Sequence, residues 1–182
     1  MKQLEYKIIN KDNLAYALRI QNTIFPTDSA EEEYNDSING SISHPLMLNY
    51  LVYDLSISKD EAIGIGGIYK CKEYEDDAWL GYFGVLDSQR KQGYGSQIIL
   101  DMEKIAKDKG FSHLRLYTNK AMYPIGYIFY EKMGYIAERY TNFKKPHCKE
   151  IMDEEYIFSK NIDNTKYVKW GNRYIEDIDK YD

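Results

Sequence analysis

Val85-Leu86-Asp87-Ser88-Gln89-Arg90-Lys91-Gln92-Gly93-Tyr94-Gly95-Ser96 is the stretch that decides how this chain reads. The apolar run at 79–86 before it reads as a strand. A short polar turn follows, and Arg90, Gly93 and Gly95 then stand at the spacing R-x-x-G-x-G, directly before an amphipathic helix. A strand, a glycine loop and a helix start gather several backbone N–H groups and a positive helix end at one point, which suits a phosphate or pyrophosphate. Gly93 and Gly95, lacking Cβ, let the backbone come close to an anion and take positive φ where the turn needs it. Arg90 and Lys91 add charge at the rim. The same spacing also fits a strand-to-helix connection that needs glycine for geometry alone. G-x-x-x-x-G-K-[ST] is absent, and Gly93-Tyr94-Gly95-Ser96-Gln97-Ile98 lacks the third glycine of G-x-G-x-x-G, so neither familiar nucleotide fingerprint is met.

Bulk properties narrow the classes. A chain of 182 residues fits one domain with a sizeable core. Hydrophobic content of 43% with 29% charged residues is that of a soluble globular protein. No apolar run approaches a membrane span, and Met1-Lys2-Gln3-Leu4-Glu5 is no apolar signal segment, so a cytoplasmic chain without a membrane partner is expected. Cys71 and Cys148 show no metal or redox spacing, and three scattered histidines offer no metal cluster. The formal net charge of −5 argues against a nucleic-acid partner and is compatible with a cationic acceptor such as an amine. Most of the 19 tyrosines are expected as half-buried core or pocket wall.

Working outward from the loop, the pattern predicts strands at 7–9, 48–53, 63–69, 79–85, 113–117, 136–141 and 156–159. Helices are predicted at 13–24, from Ser29 onward, at 94–109 and at 124–133. Phe25-Pro26 ends the first helix, and Ser29-Ala30-Glu31-Glu32 reads as a capping box opening the second. Gly110 is a fitting C-cap, and Pro124 sits at a permitted first-turn position. Glu73-Tyr74-Glu75-Asp76-Asp77 reads as an acidic hairpin turn, either plainly solvated or a lip that draws in a protonated amine. The order β-α-α-β-β-β-α-β-α-β-β argues for a mixed α/β sheet.

The segment from Val85 resembles the coenzyme A-binding motif of the GNAT N-acetyltransferase superfamily, V-x-P-x-x-R-x-x-G-x-G/A, with Asp87 in the proline slot. A second block, Phe129-Tyr130-Glu131-Lys132-Met133-Gly134-Tyr135, looks like the family's "lYEKLGF" signature, in the right order and at a plausible separation. The resemblance implies an α/β fold of α+β type, with a mixed, mostly antiparallel central sheet flanked by helices and splayed at the acetyl-CoA-binding strand. The acetyltransferase domain would span 1–160, and 161–182 would be an extension with no family counterpart, packing as an added helix or covering a partner surface.

The resemblance also implies acetyl-CoA as co-substrate, with no metal, and direct transfer to an amino group of a small molecule or protein. A homodimer stays open. Phe83, Gly84 and Val85 match the strand positions that hold the thioester carbonyl, and Arg90, Lys91, Gln92, Gly93, Tyr94, Gly95 and Ser96 match the pyrophosphate loop. Tyr130 matches the proton donor to the leaving thiolate, although Tyr123, Tyr127 and Tyr130 also read as an aromatic packing stripe. Two family slots differ: Tyr123 stands where asparagine is common and Gly126 where alanine is. The key strand carries no carboxylate between Trp79 and Val85, where some relatives place a general base; Asp54, Glu75 and Asp28 acting through water remain candidates, as does no base at all. The rival reading is a non-catalytic acyl-CoA-binding sensor or regulatory module on the same fold.

Overall fold

The computed structural model describes residues 2–151 and 153–180; Met1, Met152, Tyr181 and Asp182 lie outside the described residues, the last two within the 161–182 extension. In chain order the elements are β1 (Leu4–Ile8), α1 (Leu14–Ile24), α2 (Glu31–Asn39), β2 (Leu46–Asp54), β3 (Ala62–Lys70), β4 (Asp77–Leu80), β5 (Gly84–Val85), α3 (Tyr94–Asp108), β6 (His113–Asn119), α4 (Pro124–Lys132), β7 (Ile136–Arg139), α5 (Pro146–Ile151) and β8 (Glu155–Asn161). Single 3₁₀ turns lie at Asp87–Gln89 and Glu176–Lys180. The architecture is α/β of α+β type, its strands mostly antiparallel and flanked by helices. The chain divides into two compact units, Met1–Phe111 and Ser112–Asp182.

In the first unit, β1, β2 and β3 form an antiparallel meander, and β4 and β5 pair in succession along the far edge of β3. β3 reads Ala-Ile-Gly-Ile-Gly-Gly-Ile-Tyr-Lys and is buried up to its final lysine, as a strand covered on both faces must be. Ile65 joins Ala17, Ile20, Tyr34 and Leu51 in a core under α1 and α2. On the opposite face a Cβ at Gly66 would lie 3.1 Å from Ile98 and 3.5 Å from Met102, so α3 packs against bare β3 backbone there.

Two sequence expectations are corrected here. The strand expected at 79–85 is two short strands, because Ile68 pairs Leu80 while Ile65 pairs Gly84, so three residues, 81–83, stand opposite only two of β3. That is a β-bulge, which a strand pattern of alternating or continuous apolar residues does not reveal. The expected capping box also does not form. Ala30, fully buried, takes the N-cap of α2 with no side-chain cap, and the Ser29 hydroxyl accepts from the Glu31 N–H at 3.3 Å. The loop is held instead by buried Gln21 of α1, whose amide donates to the Asp28 carbonyl at 3.1 Å and accepts from the Ala30 N–H at 3.3 Å.

The second unit orders its strands β6-β8-β7, antiparallel, with α4 packed on β6. The stretch after Asn161 is part of this unit. Trp170, Ile175 and Ile178 are buried, the Trp170 N–H donates to Glu138 at 2.7 Å, and the buried Arg115 guanidinium donates to the Ser159 hydroxyl at 2.7 Å and the Val168 carbonyl at 2.9 Å. The helix α5 has no counterpart in the sequence pattern, because at six residues it is too short to carry a periodic signal.

Asn119 at the end of β6 organises the turn into α4. Its side-chain oxygen accepts from the Ala121 and Met122 N–H groups, both at 3.1 Å, and its amide donates to buried Glu155 at 3.4 Å. Burial pushes the Glu155 carboxyl up to about 7, against the pull of the Asn119 amide. The unfolded group titrates near ~4.3, so between those two values the folded chain holds the extra proton and stability falls as pH rises. Urea unfolding should therefore show stability declining from about pH 4.5 to about pH 7, by about 3–4 kcal/mol. Glu155→Gln should flatten this window and exceed the wild type in stability at pH 8.

Candidate active site

The bulge directs the chain from β4 to β5, and β5 leads into the glycine loop within the same unit. The Gly81 N–H still donates to the Gly67 carbonyl at 3.0 Å, and β3 is rejoined at Gly84. This needs a bare β3, since a Cβ at Gly64 would collide with the Gly84 carbonyl oxygen. Gly84 is itself pressed against α1, where its Cβ would lie 2.5 Å from Ile24. Phe83, Gly84 and Val85 thus come together beside the bulge, where a local departure from the ladder re-aims backbone groups.

After Val85 the chain makes the 3₁₀ turn at Asp87–Gln89 and then the loop. The Arg90 guanidinium bonds to the loop itself: Nη2 meets the Asp87 carboxylate at 2.8 Å and Nε donates to the Val85 carbonyl at 3.2 Å. Asp87, in the slot where the motif has proline, thereby fixes the turn by an ion pair. Lys91 takes φ 60° and Gly93 φ 83°, both left-handed. For Lys91 this is a strained conformation costing on the order of 1 kcal/mol, of the kind that collects at ligand clamps. Gly93 is the N-cap of α3, which has no side-chain cap, so the first-turn N–H groups of Tyr94, Gly95 and Ser96 keep the partner-poor geometry that an anion satisfies. Gln92 donates from its side chain to Gln89 at 3.3 Å.

A cation that the motif did not predict joins this loop. Lys2 places Nζ 3.8 Å from the centre of the Tyr94 ring, and a Cβ at Gly93 would lie 3.3 Å from the same nitrogen. A lysine at the far N-terminus gives no sequence signal of this, because β1 brings it there through the fold. The residues present therefore fit an anionic group: an uncapped helix start, two left-handed loop residues, and Lys2 with Lys91 at the rim.

The Tyr94 side chain is not part of that rim. It is buried, and its hydroxyl donates to Asp54 at 2.7 Å, pinning the start of α3 to the end of β2. Hydrogen bonds from Ser56 and then Tyr94 hold the Asp54 carboxyl down at about 2, and burial with the Asp54 contact lifts Tyr94 to about 12. Both carboxylate oxygens of Asp54 are thus engaged, Oδ1 by the Ser56 hydroxyl at 2.6 Å and Oδ2 by Tyr94, which ties Asp54 to a structural role. Glu75 is solvent-exposed, as is most of the acidic turn, whereas Asp77 is buried at the start of β4.

Tyr130 lies in the second unit, on α4. Its ring sits among Phe129, Tyr135 and Phe158, with centroids at 5.4, 6.0 and 5.5 Å. Burial raises its pKa well above that of free tyrosine, so it holds its proton across the neutral range. Tyr127 is buried and packs against Tyr156 and Phe158, both at 5.0 Å. Tyr123 is the N-cap of α4.

Across residues 14–135, two-thirds of the chain, the sequence matches the acetyltransferase (GNAT) family profile, and the chain belongs to that family. No curated protein matches it in sequence. Among solved structures the fold is similar to that of the ribosomal-protein-S18-alanine N-acetyltransferase from Escherichia coli, at 16% identity and a TM-score of 0.63, covering 96% of this chain and 100% of that one. It is similar to NAA60 from Arabidopsis thaliana in complex with acetyl-CoA, at 18% identity and a TM-score of 0.65, covering 88% and 99%. It is also similar to the PaiA N-acetyltransferase from Thermoplasma acidophilum in complex with coenzyme A, at 16% identity and a TM-score of 0.63, covering 87% and 99%.

The seating of β5 is open to direct measurement. Gly64→Ala should push β5 off β3 and destabilise the protein by about 1–3 kcal/mol, the usual range for overpacking. Gly134→Ala adds a Cβ with nothing within 4 Å but forces alanine into φ 83°. Urea titrations of the two variants compare a steric cost with a purely conformational one, and only Gly64→Ala should broaden the amide resonances of Gly84 and Val85.

Proposed function

We propose that this protein moves an acetyl group from acetyl-CoA directly to a primary amine of a small molecule or protein. One observation carries the reading: the bulge at 81–83 opens immediately into a glycine loop and an uncapped helix start, all in one compact unit. Membership of the acetyltransferase (GNAT) family supports it, as do the neighbours solved with acetyl-CoA and coenzyme A.

The loop amides of residues 91–96, with Lys2 and Lys91, hold the pyrophosphate, and Arg90 keeps the loop in shape. Backbone N–H groups among Phe83, Gly84 and Val85 hold the thioester carbonyl oxygen as it gains charge. Such a donor typically contributes about 3–4 kcal/mol in the transition state. The thioester supplies an activated acetyl group, so no covalent enzyme intermediate is needed. Tyr130, protonated at neutral pH, gives its proton to the departing sulfur.

Two measurements test the reading. Free-thiol release from acetyl-CoA over a panel of peptides with free α-amines, diaminoalkanes and amino sugars should find an acceptor. Acetyl-CoA binding without release on any amine would make the chain a binding module instead. Calorimetry with acetyl-CoA should show binding lost in Gly93→Glu/Gly95→Glu, and unchanged affinity would put the pyrophosphate elsewhere.

Tyr130→Phe keeps the ring and should lower kcat by up to the ~10²–10⁴-fold typical of general acid catalysis. Acetyl-CoA affinity should change by no more than about 1 kcal/mol. Full activity in Tyr130→Phe with a loss in Tyr123→Phe or Tyr127→Phe would show that the donor is another tyrosine of the stripe.

A further inference from the structure

The key strand has no carboxylate of its own, yet one stands at its side. A Cβ at Gly81 would lie 2.8 Å from Oε1 of Glu33, so the Glu33 carboxylate occupies the room that a side chain at the first bulge residue would need. Glu33 reaches this point from the first turn of α2, and that oxygen is buried. Two residues further along the strand come Phe83, Gly84 and Val85, the thioester positions of the proposal above.

A second group converges on the same Cβ position of Gly81. Asn49 of β2 pairs Gly67 of β3, and its carboxamide lies across Gly67, where a Cβ would strike its oxygen. The same oxygen lies 3.5 Å from the Cβ position of Gly81. Asn49 is 2% exposed, and its side-chain amide nitrogen makes no hydrogen bond among the described residues. A buried donor left unsatisfied costs about 1–3 kcal/mol. Its retention beside the bulge therefore points to a ligand oxygen. An aromatic wall completes the place: Tyr82 stacks edge-on with Phe25 at 5.5 Å and donates to the Ser29 carbonyl at 3.3 Å. The titratable neighbour coupled to Glu33 is Tyr34, whose hydroxyl burial and then the Glu33 charge push far above an ordinary phenol.

We infer that Glu33 binds the acceptor amine as a cation and takes its proton, and that Asn49 donates to an oxygen the acceptor carries near that amine. The acceptor class is then an amino-acyl or amino-alcohol compound, such as a peptide with a free α-amine, rather than a plain polyamine. This rests on the acetyltransferase reading. Glu33 accepts one proton from the ammonium and passes it to solvent. The nitrogen lone pair attacks the thioester carbon, the C–N bond forms and the C–S bond breaks. Sulfur takes the Tyr130 proton, and the second proton lost by nitrogen returns through solvent to that tyrosine, leaving amide, free thiol and one released proton.

The test uses the full chain and the best acceptor from the thiol-release panel. Glu33→Gln should lower kcat/KM at least ~10²-fold at pH 7, within the range of general base catalysis, and regain rate at high pH as the amine loses its own proton. Acetyl-CoA affinity should stay within twofold, and Glu32→Gln, on the exposed face of the same turn, should match the wild type. Asn49→Ala should raise KM for a free α-amine peptide at least fivefold and leave a diaminoalkane unaffected. An active Glu33→Gln with the wild-type pH profile overturns the role of Glu33 alone. A wild type that acetylates only diaminoalkanes overturns the acceptor class. A wild type that releases thiol with no amine overturns the acetyltransferase reading and this inference with it.

Discussion

The one-residue mismatch between β3 and the strand that runs along its edge is the constraint on which the rest depends. Three residues opposite two cannot all stay in the ladder, so the chain must leave β3 at Gly81 and rejoin it at Gly84. That departure creates two distinct places. Downstream lies the backbone of 83–85, where the proposed function puts the thioester carbonyl. Upstream lies the emptied side-chain position of Gly81, filled by Glu33. The bareness of β3 at Gly64, Gly66 and Gly67 is what permits it: one lets β5 close in, one lets α3 close in, and one lets the Asn49 amide cross.

The charge problem posed by the sequence is resolved locally. A chain of net charge −5 is expected to repel an anionic coenzyme. At the loop, however, the potential comes from helix-end amides, from Lys91, and from Lys2 carried in at the start of β1. Arg90 contributes less free charge than the motif suggests, because Asp87 pairs it. Its work is geometric, tying the loop back to Val85.

Most of the element order is legible in the sequence because it rests on local signals. Phe25-Pro26 ends α1, Pro124 opens α4, and the apolar periodicity of 94–108 gives α3. The glycine loop is legible for the same reason, since its glycines and helix start are contiguous. What escapes is whatever depends on pairing or on distance along the chain. The bulge is a fact of register between β3 and its neighbour, and neither strand alone encodes it. Gln21 displaces the expected capping box because a buried amide from α1 reaches the loop first. Asp54 looks like a spare carboxylate until Ser56 and Tyr94 are seen bonded to it. Glu33 reads as one more acid in a solvated helix start, and only the fold puts it beside Gly81.

The central claim is that the bulge and the loop after it are the acetyl-CoA site. Amide chemical-shift mapping by NMR during an acetyl-CoA titration tests it most directly. The account predicts the largest shifts at the N–H groups of residues 83–85 and 91–96, with the exposed turn at 73–76 unmoved. Saturable binding that leaves residues 83–85 and 91–96 unshifted would contradict it.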